Sequence, residues 1–185
     1  MMGCVLHPIN VRRPPESLVH TINHAESRII LANVDFLPAL ESIQDRFTTL
    51  KSVILLADDE KHPETSLPVT GEYESMLDRE DGTFSFPDFD ENAMAAIFYS
   101  TGAAGVPKGV CFSHRQLVMH TYGIMAGLCS YGFHPSITAR DVYMPLTPMF
   151  HVNAWSLFYL FTLLGAKQVY PGKRSEEHTS ELQSR

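Results

Sequence analysis

The chain has 185 residues, with 14 Lys and Arg against 21 Asp and Glu and a formal net charge of −7. That length is enough to bury a core as one domain, and the acidic balance argues against a general nucleic-acid binder. Cys4, Cys111 and Cys129 are widely spaced with no C-x-x-C, which predicts a reducing compartment and no disulfide framework. The longest apolar stretch, 154–166, is too short and too interrupted to span a bilayer. No secretory signal is read at the N-terminus, so a cytoplasmic location is expected.

The first third alternates strand and helix signals. Residues 4–6, 28–32 and 52–57 read as short apolar strands. Between the first two, Pro14, Pro15 and Glu16 open a helix through about Ala25, because proline suits the first turn and glutamate its dipole. Residues 36–47 read as the next helix, with Leu37, Leu40, Ile43 and Phe47 on one face. This β-α-β-α-β rhythm predicts an α/β fold, a layered and largely parallel sheet with flanking helices.

Twelve of the 21 acidic residues fall between Asp58 and Glu91, in a segment broken by Pro63, Pro68, Gly71, Gly82 and Pro87. It reads as a solvated connection, interrupted by a short helix over 73–77. Strands are expected at 93–98 and 109–112, the second burying Cys111. Ser113 caps a helix over 114–128. A strand at 141–145, an apolar helix over 150–164 and a strand at 168–170 complete the pattern. No internal repeat is visible.

Residues 99–110 read Y-S-T-G-A-A-G-V-P-K-G-V, between two apolar runs. Gly102, Gly105 and Gly109 let backbone N–H groups approach oxygens without Cβ interference. Lys108 adds a compact positive charge, and Ser100 and Thr101 add hydroxyl donors. The loop is not a G-x-x-x-x-G-K-[ST] P-loop: counted from Gly102, the second glycine position holds Pro107, and Gly109 follows Lys108 where Ser or Thr would stand.

The string resembles the signature loop of the adenylate-forming (AMP-binding) enzymes, which include acyl-CoA synthetases, luciferases and peptide-synthetase adenylation domains. Tyr99, Ser100, Thr101, Gly102, Gly105, Pro107, Lys108, Gly109 and Val110 match a pattern close to [YT]-[ST]-[ST]-G-T-T-G-x-P-K-G-V. Ala103 and Ala104 replace two threonines, which removes two hydroxyls from the phosphate cradle. About forty residues on, Pro148, Phe150, His151 and Ala154 are similar to the family's P-x-F-H-x-x-[GA] segment. Upstream, Gly3, Val5, Asn10 and Arg12, then Ile22, Asn23, His24 and Ala25, look like the medium- and long-chain fatty acyl-CoA synthetase branch. The resemblance covers roughly 3–173.

The resemblance implies a two-step acid–thiol ligase. A carboxylate attacks the α-phosphate of ATP to give acyl-adenylate and pyrophosphate, and the thiol of coenzyme A then displaces AMP. Magnesium accompanies ATP, and a medium- or long-chain fatty acid is the implied substrate. Carried over residue by residue, Ser100, Thr101, Gly102, Ala103, Ala104, Gly105, Lys108 and Gly109 close over the phosphates, Lys108 assisting catalysis electrostatically. His151 lies near the carboxylate and adenylate as the second catalytic candidate. Phe150, Asn153 and Trp155 line the acyl site, Trp155 one helical turn after His151. His20 and His24, four apart, have a zinc-compatible spacing but no evident third ligand, and read as structural. His114 and His120 read likewise.

Family members are several hundred residues long, so residues 1–173 are expected to be part of an N-terminal adenylation domain. The family's later adenine, ribose and hinge segments and its C-terminal catalytic lysine are not seen, so the chain alone is expected to be inactive. The resemblance allows a homodimer of the full-length protein. Residues 174–185, which begin R-S-E-E-H-T-S-E-L-Q-S, read as the translation of a common sequencing adapter, or else as a polar disordered tail. Two other functions stay open: a non-catalytic nucleotide-binding or interaction module, favoured by Ala103 and Ala104, and an aryl or short-chain acid ligase.

Overall fold

The computed structural model describes residues 3–57, 63–101, 107–130, 132 and 136–170. They form two compact units, Met1–His114 and Arg115–Arg185.

The first unit is built on a parallel sheet. Helix α1 (Pro15–His24) starts on the proline-rich segment, with Pro in its first turn and Glu16 near its positive end. Strand β1 (Ile29–Asn33) pairs in parallel with β2 (Ser52–Leu56), from Ile29 opposite Ser52 to Asn33 opposite Leu56. β2 pairs in parallel with β3 (Val69–Glu72), with a register shift between Val53 and Ile54. Alternation along β1 and β2 sends Ile30, Ala32, Val53 and Leu55 to one face. There they pack with Ile22 of α1, Leu67, and Leu37 and Leu40 of α2 (Leu37–Glu41). Ile22, Val53 and Leu55 are completely buried. The opposite face of β1 is bare: Ile29 is 56% and Leu31 53% exposed.

In this unit three elements depart most from expectation. The helix expected over 36–47 is short and broken. A single helical turn at Val34–Phe36, capped by Asn33 accepting from the Asp35 N–H, precedes α2, and another at Gln44–Arg46 follows it. Between the last two, Ile43 leaves helical geometry (φ −128°) and is buried against Leu18 and Val19 of α1. Its burial outweighs the propensity of the run to continue. β3 lies inside the segment read as a solvated connection, and its Gly71 hid it. The turn into α3 (Tyr73–Leu77) is so close that a Cβ at Gly71 would meet Met76 Cγ and Sδ at 3.0 Å. The Glu72 carboxylate caps α3, accepting from the Glu74 and Ser75 N–H groups at 2.9 and 2.7 Å, which lowers its pKa. The strand expected at 4–6 is reduced to one parallel bridge, Leu6 beside Ala96.

Strands β4 (Met94–Thr101) and β5 (Pro107–Ser113) form an antiparallel hairpin. Leu6 ties the N-terminal segment to it: its N–H donates to the Ala95 carbonyl and its carbonyl accepts from the Ile97 N–H, each at 2.9 Å. The next residue, His7, is half-buried, and its Nδ1 is 3.1 Å from the Ser27 hydroxyl. Cys111, expected in the core, is exposed, as are its β5 neighbours from Lys108 to Val110.

The second unit holds α4 (His114–Leu128), which begins at the end of the first, a parallel pair β6 (Val142–Tyr143) and β7 (Lys167–Gln168), and α5 (Leu157–Leu164). Phe161 of α5 stacks on Tyr143 at 4.3 Å. Gly165 ends α5 in the left-handed conformation (φ 67°) that favours glycine. α5 starts seven residues later than expected. Before it, Asn153, Ala154, Trp155 and Ser156 all have left-handed backbone, φ 48–60°. Each such non-glycine residue costs about 1–2 kcal/mol, so packing must impose the turn.

Two outcomes follow from this packing. Leu55→Ala removes a completely buried side chain at the centre of the sheet and lowers stability by about 2–5 kcal/mol, measured by urea denaturation. Burial pushes His7 from 6.5 down to about 4. The unfolded chain therefore binds more protons between those values, and stability falls as pH drops from about 6.5 to about 4, by about 3 kcal/mol in all. Urea midpoints at about pH 7 and about pH 5 read this loss, and His7→Gln reduces it.

Candidate functional site

The hairpin presents the loop motif at its tip. Ser100 pairs with Lys108 and Thr101 with Pro107, so the strands remain in register up to both ends of the loop. Gly102, Ala103, Ala104 and Gly105 lie outside the described residues. Ser100 and Lys108 are cross-strand neighbours and both are exposed, which leaves a hydroxyl and an ammonium free to meet a charged ligand. This strand face continues inward to Phe98, which is buried and packs on Phe112 with ring centroids 5.4 Å apart.

The other face carries Ile97, Tyr99 and Gly109. A Cβ at Gly109 would stand 3.1 Å from Ile97 Cδ1 and 3.5 Å from Tyr99 Cε1. Glycine here leaves room for the Ile97 side chain beside β5, a packing role in addition to the expected one at the phosphates. The Tyr99 ring is flanked by His7 at 5.1 Å and by the edge of His24 at 5.7 Å. Its hydroxyl shares a 2.7 Å hydrogen bond with His24 Nδ1. Burial, and then the Cys111 charge, raise the Tyr99 pKa, so the phenol stays protonated at neutral pH. The His7–Tyr99–His24 cluster was not foreseen. The only trace of it in the sequence is a polar residue at the last position of α1, and nothing local couples that residue to one 75 positions away.

In the second unit, a turn in which the His151 N–H donates to the Pro148 carbonyl at 2.9 Å presents Phe150 and His151. Their rings are 5.6 Å apart, and His151 is exposed. The expectation that Trp155 follows one helical turn after His151 is corrected: the left-handed run replaces that turn, and Trp155 is 63% exposed. Asn153 is completely buried, and neither side-chain amide atom has a partner among the described residues. An unpaired buried amide is costly. His20 and His24 have ring centroids 5.6 Å apart. Among the described residues no group of three His, Cys, Asp or Glu could hold a metal ion by itself, and no helix is long and apolar enough to cross a membrane.

The family model described as AMP-binding enzyme matches residues 1–183. The chain is 40% identical over 173 residues to a long-chain-fatty-acid–CoA ligase of Thermus thermophilus, covering 94% of this chain and 29% of that protein. It is 39% identical over 170 residues to the 3-methylmercaptopropionyl-CoA ligase of Ruegeria pomeroyi, covering 92% of this chain and 31% of that one. The chain thus spans about three tenths of the length of the curated relatives it matches. Among solved structures, a red-emitting luciferase from Phrixothrix hirtus superposes with a TM-score of 0.74 at 20% identity, over 97% of this chain and 42% of that one. The α/β fold with its parallel sheet, the hairpin bearing the glycine-rich string and the family match over nearly the whole sequence agree, and the chain belongs to the AMP-binding enzyme family.

Proposed function

We propose that the protein containing this chain is an ATP-dependent acid–CoA ligase that activates a medium- or long-chain fatty acid. The observation that carries this reading is the loop string, with Ser100 and Lys108 paired and exposed at its base. In the first step a carboxylate oxygen attacks the α-phosphorus of ATP and pyrophosphate leaves. Negative charge grows on the phosphates, where oriented N–H groups and a fixed cation stabilise it better than mobile water. Lys108 supplies the cation, Ser100 and Thr101 supply hydroxyls, and the residues between them supply backbone donors. Magnesium enters with ATP as part of the substrate. In the second step the thiol of coenzyme A attacks the acyl carbonyl and AMP leaves.

His151 is assigned to the carboxylate end of the site, with Phe150, Asn153 and Trp155 along the acyl group. The exposed Trp155 indole supports that assignment. The chain by itself is proposed to be inactive, and the whole protein is proposed to act in the cytoplasm. A short-chain acid is a second reading, favoured by the Ruegeria pomeroyi relative at nearly the same identity as the fatty-acid one. Pyrophosphate exchange across a series of acids, from 3-methylmercaptopropionate to long fatty acids, separates the two.

Lys108→Ala in the intact protein lowers kcat/KM for ATP by about 10–150-fold, the equivalent of one charge-assisted contact. ATP–pyrophosphate exchange measures it, and an unchanged rate would remove Lys108 from the site. Exchange activity in the isolated 185-residue chain would overturn the proposal that it is inactive alone.

A further inference from the structure

The cluster on the far face of the hairpin has no part in the chemistry above, yet it grips the residue immediately before the phosphate-binding string. Three successive residues at the end of α1 do different work. Ile22 is completely buried in the sheet core. Asn23 is pinned at both side-chain atoms: its Nδ2 donates to the Arg46 carbonyl at 2.9 Å, and its Oδ1 accepts from the Thr48 N–H at 3.0 Å. His24 then reaches the Tyr99 hydroxyl at 2.7 Å. The helix end is therefore fixed to the sheet, and Tyr99 is fixed to the helix end. His7 also packs on the Tyr99 ring at 5.1 Å while held by Ser27 at 3.1 Å. Its low proton affinity keeps it neutral at pH 7, so the ring packs there without a charge.

We propose that Tyr99 and His24 are positioning residues for the adenylation step: their hydrogen bond, with His7 also packed against the ring, sets the angle at which β4 delivers Ser100 to the phosphates of ATP. This inference rests on the ligase reading above. Ser100 follows Tyr99 directly and points to the opposite strand face, so any rotation of Tyr99 about the strand axis turns Ser100 and its partner Lys108 with it. The effect is confined to the step in which pyrophosphate leaves, because the loop has no role in thiol attack on a preformed acyl-adenylate.

The test is made in the intact protein, with the two half-reactions assayed separately. ATP–pyrophosphate exchange at varied ATP reads the first, and acyl-CoA formation from supplied acyl-adenylate reads the second. Tyr99→Phe keeps the ring and removes only the hydroxyl. The expected result is a rise of about 3–10-fold in KM for ATP with a fall in exchange rate, and an unchanged KM for the acid and unchanged second half-reaction. His24→Ala gives the same pattern, the double variant is no worse than either single one, and His24→Asn, which keeps a polar atom near the Nδ1 position, restores most of the loss. Wild-type kinetics in Tyr99→Phe, an equal fall in both half-reactions, or additive effects in the double variant would overturn this inference alone. A wild-type protein without acid-dependent exchange would overturn it together with the ligase reading.

Discussion

A two-stranded antiparallel hairpin is marginal in water, and here one leads into and out of the glycine-rich string. The β4–β5 hairpin must therefore be supported from outside, and its supports come from the N-terminal segment. Leu6 adds a short parallel pairing to β4, and the residues around it lead directly into His7. Helix α1 supplies the other support, and α1 is held in turn by Ile22 in the sheet core. Without the buried face of β1 and β2, α1 would have nothing to lie on, and the hairpin would lose its reference frame. The hydrophobic core thus fixes the hairpin indirectly, through the end of α1.

The division of labour across the hairpin follows from the two-residue period of a strand. One face places Ser100 and Lys108 in solvent above Phe98 and Phe112, where polar groups can meet phosphate and the aromatic pair anchors the strands. The other face places Ile97, Tyr99 and Gly109 against the N-terminal segment. A glycine between two functions has two reasons to be glycine. The backbone of Gly109 flanks the loop, and its missing side chain admits the Ile97 side chain.

How much of this could be read from residues alone depended on whether the cause was local. Helix α1 was legible because Pro15 and Glu16 mark its start. β1 and β2 were legible as apolar runs, and α4 and α3 were placed at the boundaries they have. The helix at 36–47 failed because Ile43 is drawn out of helical geometry to reach Leu18 and Val19, contacts no window of sequence contains. β3 failed because V-T-G-E has no strong strand signal and derives its order from β2. The left-handed run at 153–156 is beyond any propensity argument, since Ala, Trp and Ser do not favour it. The loop string was legible by residue identity. The histidines behind it were not, because their meaning lies in a contact between distant segments.

The bare side of the parallel sheet has a physical consequence of its own. Parallel sheets are ordinarily covered on both faces, and here Ile29 and Leu31 face water. What keeps two such surfaces apart in solution is mutual repulsion between molecules that each carry a net charge of −7. That repulsion has a range set by the solvent, about 10 Å at 0.1 M salt and about 3 Å at 1 M. The attraction between apolar faces is not screened in this way. The colloidal behaviour of the chain is therefore governed by ionic strength: added salt shortens the barrier until the greasy faces meet.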